Sequence, residues 1–289
     1  MPISVLVRLA PIVFVCLWAT GFIGARMGMP YAEPGTFLAV RFALACLLLA
    51  ALALIMRAPW PGRAVAGQQV LVGFLLHGTY LGCVFWAVDR GMPAGVSAII
   101  VGLQPVLTAV LAGWLLGELI SRRHWLAMAL GVVGVALVVW PKLSFSSLGI
   151  TPVTVTVCVM GMVSATLGTV VQKRFGGTVD LRTGTAFQYV GAVIPVALLS
   201  LATETRDVIW TGELIFAFVW LVLVLSIGAI FLLLWLLRQG SVAKVSSLFF
   251  LVPAVAALMA NGLFGETLNG VQVFGMGVSG FAVALSSRA

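Results

Sequence analysis

Charge is what this sequence has least of: 8% of its 289 residues are charged, and only eight are acidic. A soluble globular domain carries roughly 25% charged residues, so there is too little charge here to coat a water-exposed surface. Histidine occurs twice and cysteine four times. Cys16, Cys46, Cys83 and Cys158 each fall inside an apolar run, with no C-x-x-C spacing and no nearby histidine. They read as small packing residues, with no disulfide framework and no metal site. No G-x-x-x-x-G-K-[ST], H-E-x-x-H or G-x-S-x-G occurs, and no apolar run holds a pair of carboxylates. ATP hydrolysis, metalloprotease chemistry and serine hydrolysis therefore lack their parts, and neither a catalytic residue nor a cofactor is expected.

What is present is apolar: 62% of the residues are hydrophobic. One bilayer crossing takes about 20 such residues. Runs bounded by charges, proline and glycine fall at roughly 10–28, 34–56, 68–88, 93–116 and 124–140, then at 150–172, 182–203, 213–237, 242–264 and 270–287. The expectation is an all-α integral membrane protein with ten transmembrane helices and the lipid bilayer as its surroundings. The first run, with one preceding arginine and no small-residue cleavage site, reads as a retained helix rather than a signal peptide. A formal charge of +8 can indicate nucleic acid, but the basic residues lie between runs and form no stripe, so no nucleic-acid partner is expected.

Their distribution indicates orientation instead, because cytoplasmic loops retain Lys and Arg. With the N-terminus inside, eleven basic residues are cytoplasmic: Arg8, Arg57, Arg63, Arg122, Arg123, Lys173, Arg174, Arg182, Arg238, Lys244 and Arg288. Four lie outside (Arg26, Arg90, Lys142 and Arg206), and Arg41 sits within the second run. Both termini are expected in the cytoplasm.

The chain also resembles itself. An offset of 148 superposes Leu103 on Leu251, Pro105 on Pro253, Ala109 on Ala257, Ala112 on Ala260, Gly117 on Gly265 and Glu118 on Glu266. Identities among Ala, Leu and Gly are cheap in an apolar chain, but a doubled proline followed by a doubled Gly-Glu is not. Five runs per repeat is an odd number, so the second half enters the membrane from the opposite side. Two inverted five-helix repeats follow, at 1–142 and 143–289, with the substrate site expected where they meet.

This arrangement resembles the drug/metabolite transporter superfamily in its ten-helix EamA-type branch. The residues that carry the likeness are Leu17-Trp18-Ala19-Thr20, Ala39-Val40-Arg41-Phe42, Pro105 with Gly117-Glu118, and Pro253 with Gly265-Glu266. On general similarity the chain looks most like the aromatic amino acid exporters. The resemblance implies a bacterial inner membrane and a central cavity lined by the first, third, fourth, sixth, eighth and ninth helices. It leaves the fifth and tenth at the periphery, where Gly131, Gly134, Gly275 and Gly277 would let helices approach closely.

Strongly polar side chains deep in lipid are functional candidates. His77 and Tyr80, three residues apart on one face, could line the cavity, or His77 could be tied to a neighbouring helix. Trp18 could line it too or belong to an interfacial belt. Gln104 precedes Pro105, which frees a carbonyl one turn earlier, and Ser97 lies two turns before Gln104. Ser97, Ser164 and Ser246 could contact substrate or cap backbone carbonyls. Pro105 and Pro253 are expected to interrupt their helices. Arg41 is expected to snorkel outward to an ion pair or headgroup, with a carboxylate-binding role as the other reading. Glu118 and Glu266 should make interhelical or loop hydrogen bonds.

The sequence thus points to a secondary transporter that exports small amphipathic metabolites, aromatic amino acids among them, and functions as a monomer by alternating access. Efflux of cationic drugs is the rival within transport, though it wants a buried carboxylate. A membrane-embedded enzyme or channel is the rival from another class. With no carboxylate near the centre of any run, transport is expected to be facilitated or only weakly coupled to protons.

Overall fold

A computed structural model describes residues 3–142, 149–177 and 179–288. Ten helices long and apolar enough to cross a membrane succeed one another. They are α1 (Ile3–Gly28), α2 (Pro34–Ile55), α3 (Arg63–Asp89), α4 (Ala94–Leu116), α5 (Arg122–Val139), α6 (Pro152–Phe175), α7 (Leu181–Thr203), α8 (Gly212–Gln239), α9 (Val242–Phe264) and α10 (Gly270–Ser287). Among the described residues there is no strand, only an isolated bridge between Ala32 and Val208. The repeat boundary expected at 142/143 abuts residues 143–148, outside the described residues.

The neighbours obey a two-fold relation between the first five helices and the second five. Helix α2 packs on α7 and α5 on α10, each with its own equivalent, while α3–α6 and α4–α6 contacts have counterparts in α8–α1 and α9–α1. Local geometry repeats as well. Helix α3 widens to a π-helical segment at Phe74–Thr79 and α8 at Leu221–Ala229. Helix α4 breaks at Gly102–Leu103, just before Pro105. Helix α9 tightens into a 3-10 turn at Leu248–Leu251, just before Pro253, because proline cannot donate to the ladder and clashes with the preceding turn. Both α4 and α9 end on a left-handed glycine, Gly117 (φ 68°) and Gly265 (φ 67°), a conformation strained for other residues.

The α5–α10 seam is backbone against backbone. A Cβ on Gly134 would stand 2.7 Å from Ser279 N, and one on Gly275 would stand 2.8 Å from Val138 N. Gly131 accommodates the Phe250 ring, but Gly277 has nothing within 4 Å and takes no part in the seam. Such small-residue contacts replace the hydrophobic effect, which does not drive association between helices in lipid.

One end of the bundle is rich in basic residues, and there cations meet helix C-termini. Lys173 Nζ donates to Leu237 O at 2.6 Å and Gly240 O at 2.7 Å, and Arg238 donates to Gly176 O and Val179 O. At the opposite end carboxylates meet backbone amides: Glu204 accepts from Gly35 N at 2.6 Å and Thr36 N at 2.7 Å. Both arrangements complement the helix dipole.

Candidate functional site

The interior of the bundle holds a connected chain of polar side chains, built on α7. Gln188 Nε2 donates to Gln69 Oε1 at 2.8 Å on α3 and to Gln172 Oε1 at 2.9 Å on α6, while its Oε1 meets His77 Nε2 at 3.2 Å. All four side chains are buried. Next along α7, Tyr189 stacks between His77 and Phe42 with centroids 5.3 and 5.6 Å away. Its hydroxyl donates to Ser226 O at 2.6 Å, in the π segment of α8. Ser226 Oγ in turn accepts from Arg41 Nε at 3.1 Å.

Both π segments receive a hydroxyl from another helix. A π turn leaves backbone groups without their usual partner, and in lipid each must find another. In each segment one carbonyl accepts such a hydroxyl. Ser164 on α6 donates to Leu75 O at 2.9 Å, in the α3 segment, as Tyr189 does to α8.

Of the residues singled out in the sequence, His77, Ser97, Gln104, Ser164 and Ser246 are buried, and Trp18 and Tyr80 are half-buried. His77 is tied to α7. Ser97 accepts from the Cys158 thiol at 3.6 Å. Ser246 Oγ is enclosed without a partner. Trp18 meets Phe14 and, edge-on, Phe249 of α9, with centroids 5.3 and 5.2 Å away. Tyr80 begins a new α segment after the π turn, and its carbonyl lies against Gly161 of α6. The structure thus brings Trp18 to α9 and His77 to α7.

Arg41 does not snorkel: it is 5% exposed and bonded to Ser226 of α8. Among the described residues it is the one buried Lys, Arg, Asp or Glu, and no carboxylate lies within 4.0 Å of it. Glu118 and Glu266 make the expected interhelical bonds, but to different kinds of partner. Glu118 accepts from Val242 N at 2.8 Å and Ala243 N at 3.2 Å at the start of α9, whereas Glu266 pairs with Arg26 of α1. Gln69, Gln172, Gln188, Tyr189 and Ser226 went unnoticed in the sequence. A polar side chain inside an apolar run, as Gln188 and Tyr189 are, was the available signal.

The bundle is asymmetric between its ends. The halves of α4 and α9 nearer the basic end pack on each other, joined by Glu118. Toward the opposite end they part, α9 lying on α1 and α4 on α6. Two crevices of about 250 and 130 Å³ indent the basic end, the first lined by Glu118, Ser121, His124, Ser241 and Lys244, the second by Gln172, Lys173 and Arg238.

The sequence profile of the EamA-like transporter family matches residues 7–140 and again 153–288. The chain belongs to the EamA-like transporter family. Like other EamA-like proteins it is a multi-pass membrane transporter, not an enzyme. It is 27% identical over 269 residues to the uncharacterized inner membrane transporter YedA of Escherichia coli, covering 93% of this chain and 86% of that one. It is 23% identical over 292 residues to the "probable amino-acid metabolite efflux pump" of Salmonella typhimurium, covering 95% of each. Protein PecM of Dickeya dadantii is 25% identical, over 90% of this chain and 85% of its own length. A solved structure superposes with a TM-score of 0.80 over 97% of this chain and 96% of that one, at 17% identity, a likeness of fold.

Proposed function

We propose that this EamA-like protein exports small amphipathic metabolites, aromatic amino acids first among them, from the cytoplasm across a bacterial inner membrane, as a monomer working by alternating access. The observation that carries the reading is the asymmetry between the two ends of α4 and α9, tied at the basic end and apart at the other. With the basic end cytoplasmic, this is a state in which α4 and α9 are joined on the inner side. Inverted repeats make the complementary state accessible by exchanging the conformations of the halves.

The aromatic preference is supported by Trp18, half-buried beside Phe14 and Phe249 where α1 crosses the break in α9. It is supported also by the likeness to a protein named for amino-acid metabolite efflux. Tyr80, Ser97, Gln104, Ser164 and Ser246 complete the proposed lining. Cationic drugs fit less well, because the one buried formal charge among the described residues is positive.

Purified protein in liposomes, loaded with unlabelled phenylalanine, tyrosine or tryptophan, should take up the labelled amino acid by counterflow. A panel of organic cations should exchange slowly or not at all. Exchange of the cations alone would replace this reading with drug efflux.

A further inference from the structure

Among the described residues Arg41 has no counter-ion. A guanidinium stays protonated in any protein environment, and a buried charge without a partner is costly. Its Nε is satisfied by Ser226 Oγ at 3.1 Å, and its carbon lies 5.6 Å from the Phe42 ring centroid. No acceptor among the described residues meets Nη1 or Nη2, and neither nitrogen is fully enclosed. The surrounding elements supply nothing negative. Helix α7 offers Tyr189, whose hydroxyl is committed to Ser226 O, α3 offers His77, committed to Gln188, and α8 offers Ser226 itself. Four N–H bonds of a planar fork, the shape that matches a carboxylate, are therefore left over in the interior.

The neighbourhood is otherwise apolar, with aromatic rings among aliphatic side chains. Phe42 and Tyr189 are buried in the same cluster that Trp18 and Phe85 border from their partly exposed positions. A ligand that satisfies both halves of this environment has a carboxylate and an apolar or aromatic body.

We propose that Arg41 is the anion-binding group of this transporter, its missing counter-ion being the carboxylate of the transported solute. The proposal rests on the export reading and narrows it, since amines without a carboxylate are excluded as good substrates. A bound chloride would meet the same charge, so the test separates the two.

The first measurement is binding, which does not depend on flux. Thermal unfolding of the detergent-purified protein is followed with phenylacetate, with phenylacetamide and with chloride, each as additive over an anion-poor buffer. Phenylacetate should raise the unfolding temperature at concentrations at least about tenfold below those needed for phenylacetamide, the ratio expected from one charge-assisted pair. Arg41→Gln should erase that difference, and Arg41→Lys should keep the charge but lose most of the preference. The second measurement is counterflow of phenylalanine against its amide, where wild type should favour the acid and Arg41→Gln should not. Equal stabilisation of wild type by phenylacetate and phenylacetamide overturns the proposal, whether or not Arg41→Gln folds. Saturation by chloride alone overturns it in favour of a resident inorganic anion. Carboxylate-selective stabilisation without any flux keeps the anion site and discards the export reading.

Discussion

Gln188 is the side chain on which most of the interior depends. Its amide serves Gln69, Gln172 and His77 at once, so Gln188→Leu strands three buried polar groups. Each buried orphan costs about 1–3 kcal/mol. A large drop in unfolding temperature is expected, read by intrinsic fluorescence in detergent. Ser164→Ala removes one bond, to Leu75 O. Interhelical bonds in lipid average about 0.6 kcal/mol, so a small change is expected from the same measurement. The hub was visible in the sequence only as a polar residue among apolar ones. Its partners lie 111, 119 and 16 residues away, and no periodicity connects them. Counting from His77 to Tyr80 along one face takes 3.6 residues per turn, and the π segment at Phe74–Thr79, which holds His77, turns more widely. The expectation that Arg41 snorkels outward rests on depth along its helix, which can be counted, whereas the helix that covers it cannot.

Carboxylates on helix N-termini fix how elements meet. Glu118 holds the first amides of α9 from the end of α4, and bonds to a charged group contribute about 1.5–3 kcal/mol. Glu118→Ala should shift the balance toward the state open at the basic end. Cysteines at Ala243 and Ser241 should then react faster with an impermeant maleimide, and unchanged labelling would show that Glu118 is no latch. The offset of 148 that maps Glu118 on Glu266 also maps Val242 on Ala94. In the complementary state Glu266 is expected at the start of α4, so cysteines at 94 and 266 should cross-link only when the basic end is open. At the opposite end Glu33 accepts from Arg206 N and the Thr205 hydroxyl, both at 2.9 Å. The Arg206 amide, foremost, holds its carboxyl below the ordinary range. A depressed carboxylate stabilises above its unfolded pKa of about 4.3, and the contribution disappears as pH falls through the folded value. Any difference in unfolding temperature between wild type and Glu33→Gln should therefore be present at neutral pH and shrink on acidification below that range.

For the molecule as a whole, length and apolar runs made the ten helices legible, because lipid forces every backbone group into a helix and leaves few alternatives. The doubled Pro and Gly-Glu gave the two-fold relation. The contacts across it, and the asymmetry that defines the present state, are properties of assembly. The basic distribution predicts cytoplasmic termini. A fluorescent protein fused after Ala289 should fluoresce and alkaline phosphatase there should stay inactive; the reverse pattern would invert the orientation of the transport cycle. Among the described residues no carboxylate is buried, and His77 is bonded to Gln188. Net flux in proteoliposomes should accordingly be nearly indifferent to an imposed pH gradient, and uphill accumulation that His77→Gln abolishes would identify a proton carrier instead.

The pairing of α2 with α7 and of α5 with α10 also imposes an order in time. Helix α2 is complete when Ile55 is added, but the groove it fills needs α7, which ends at Thr203. At roughly 5–20 residues per second, α2 spends about 7–30 s in the bilayer before its neighbour is synthesised. The first half must therefore persist as an unfinished guest among lipids, with the glycine-lined side of α5 uncovered. Residues 1–142 expressed alone should be degraded quickly, and co-expression of the second half as a separate chain should rescue them.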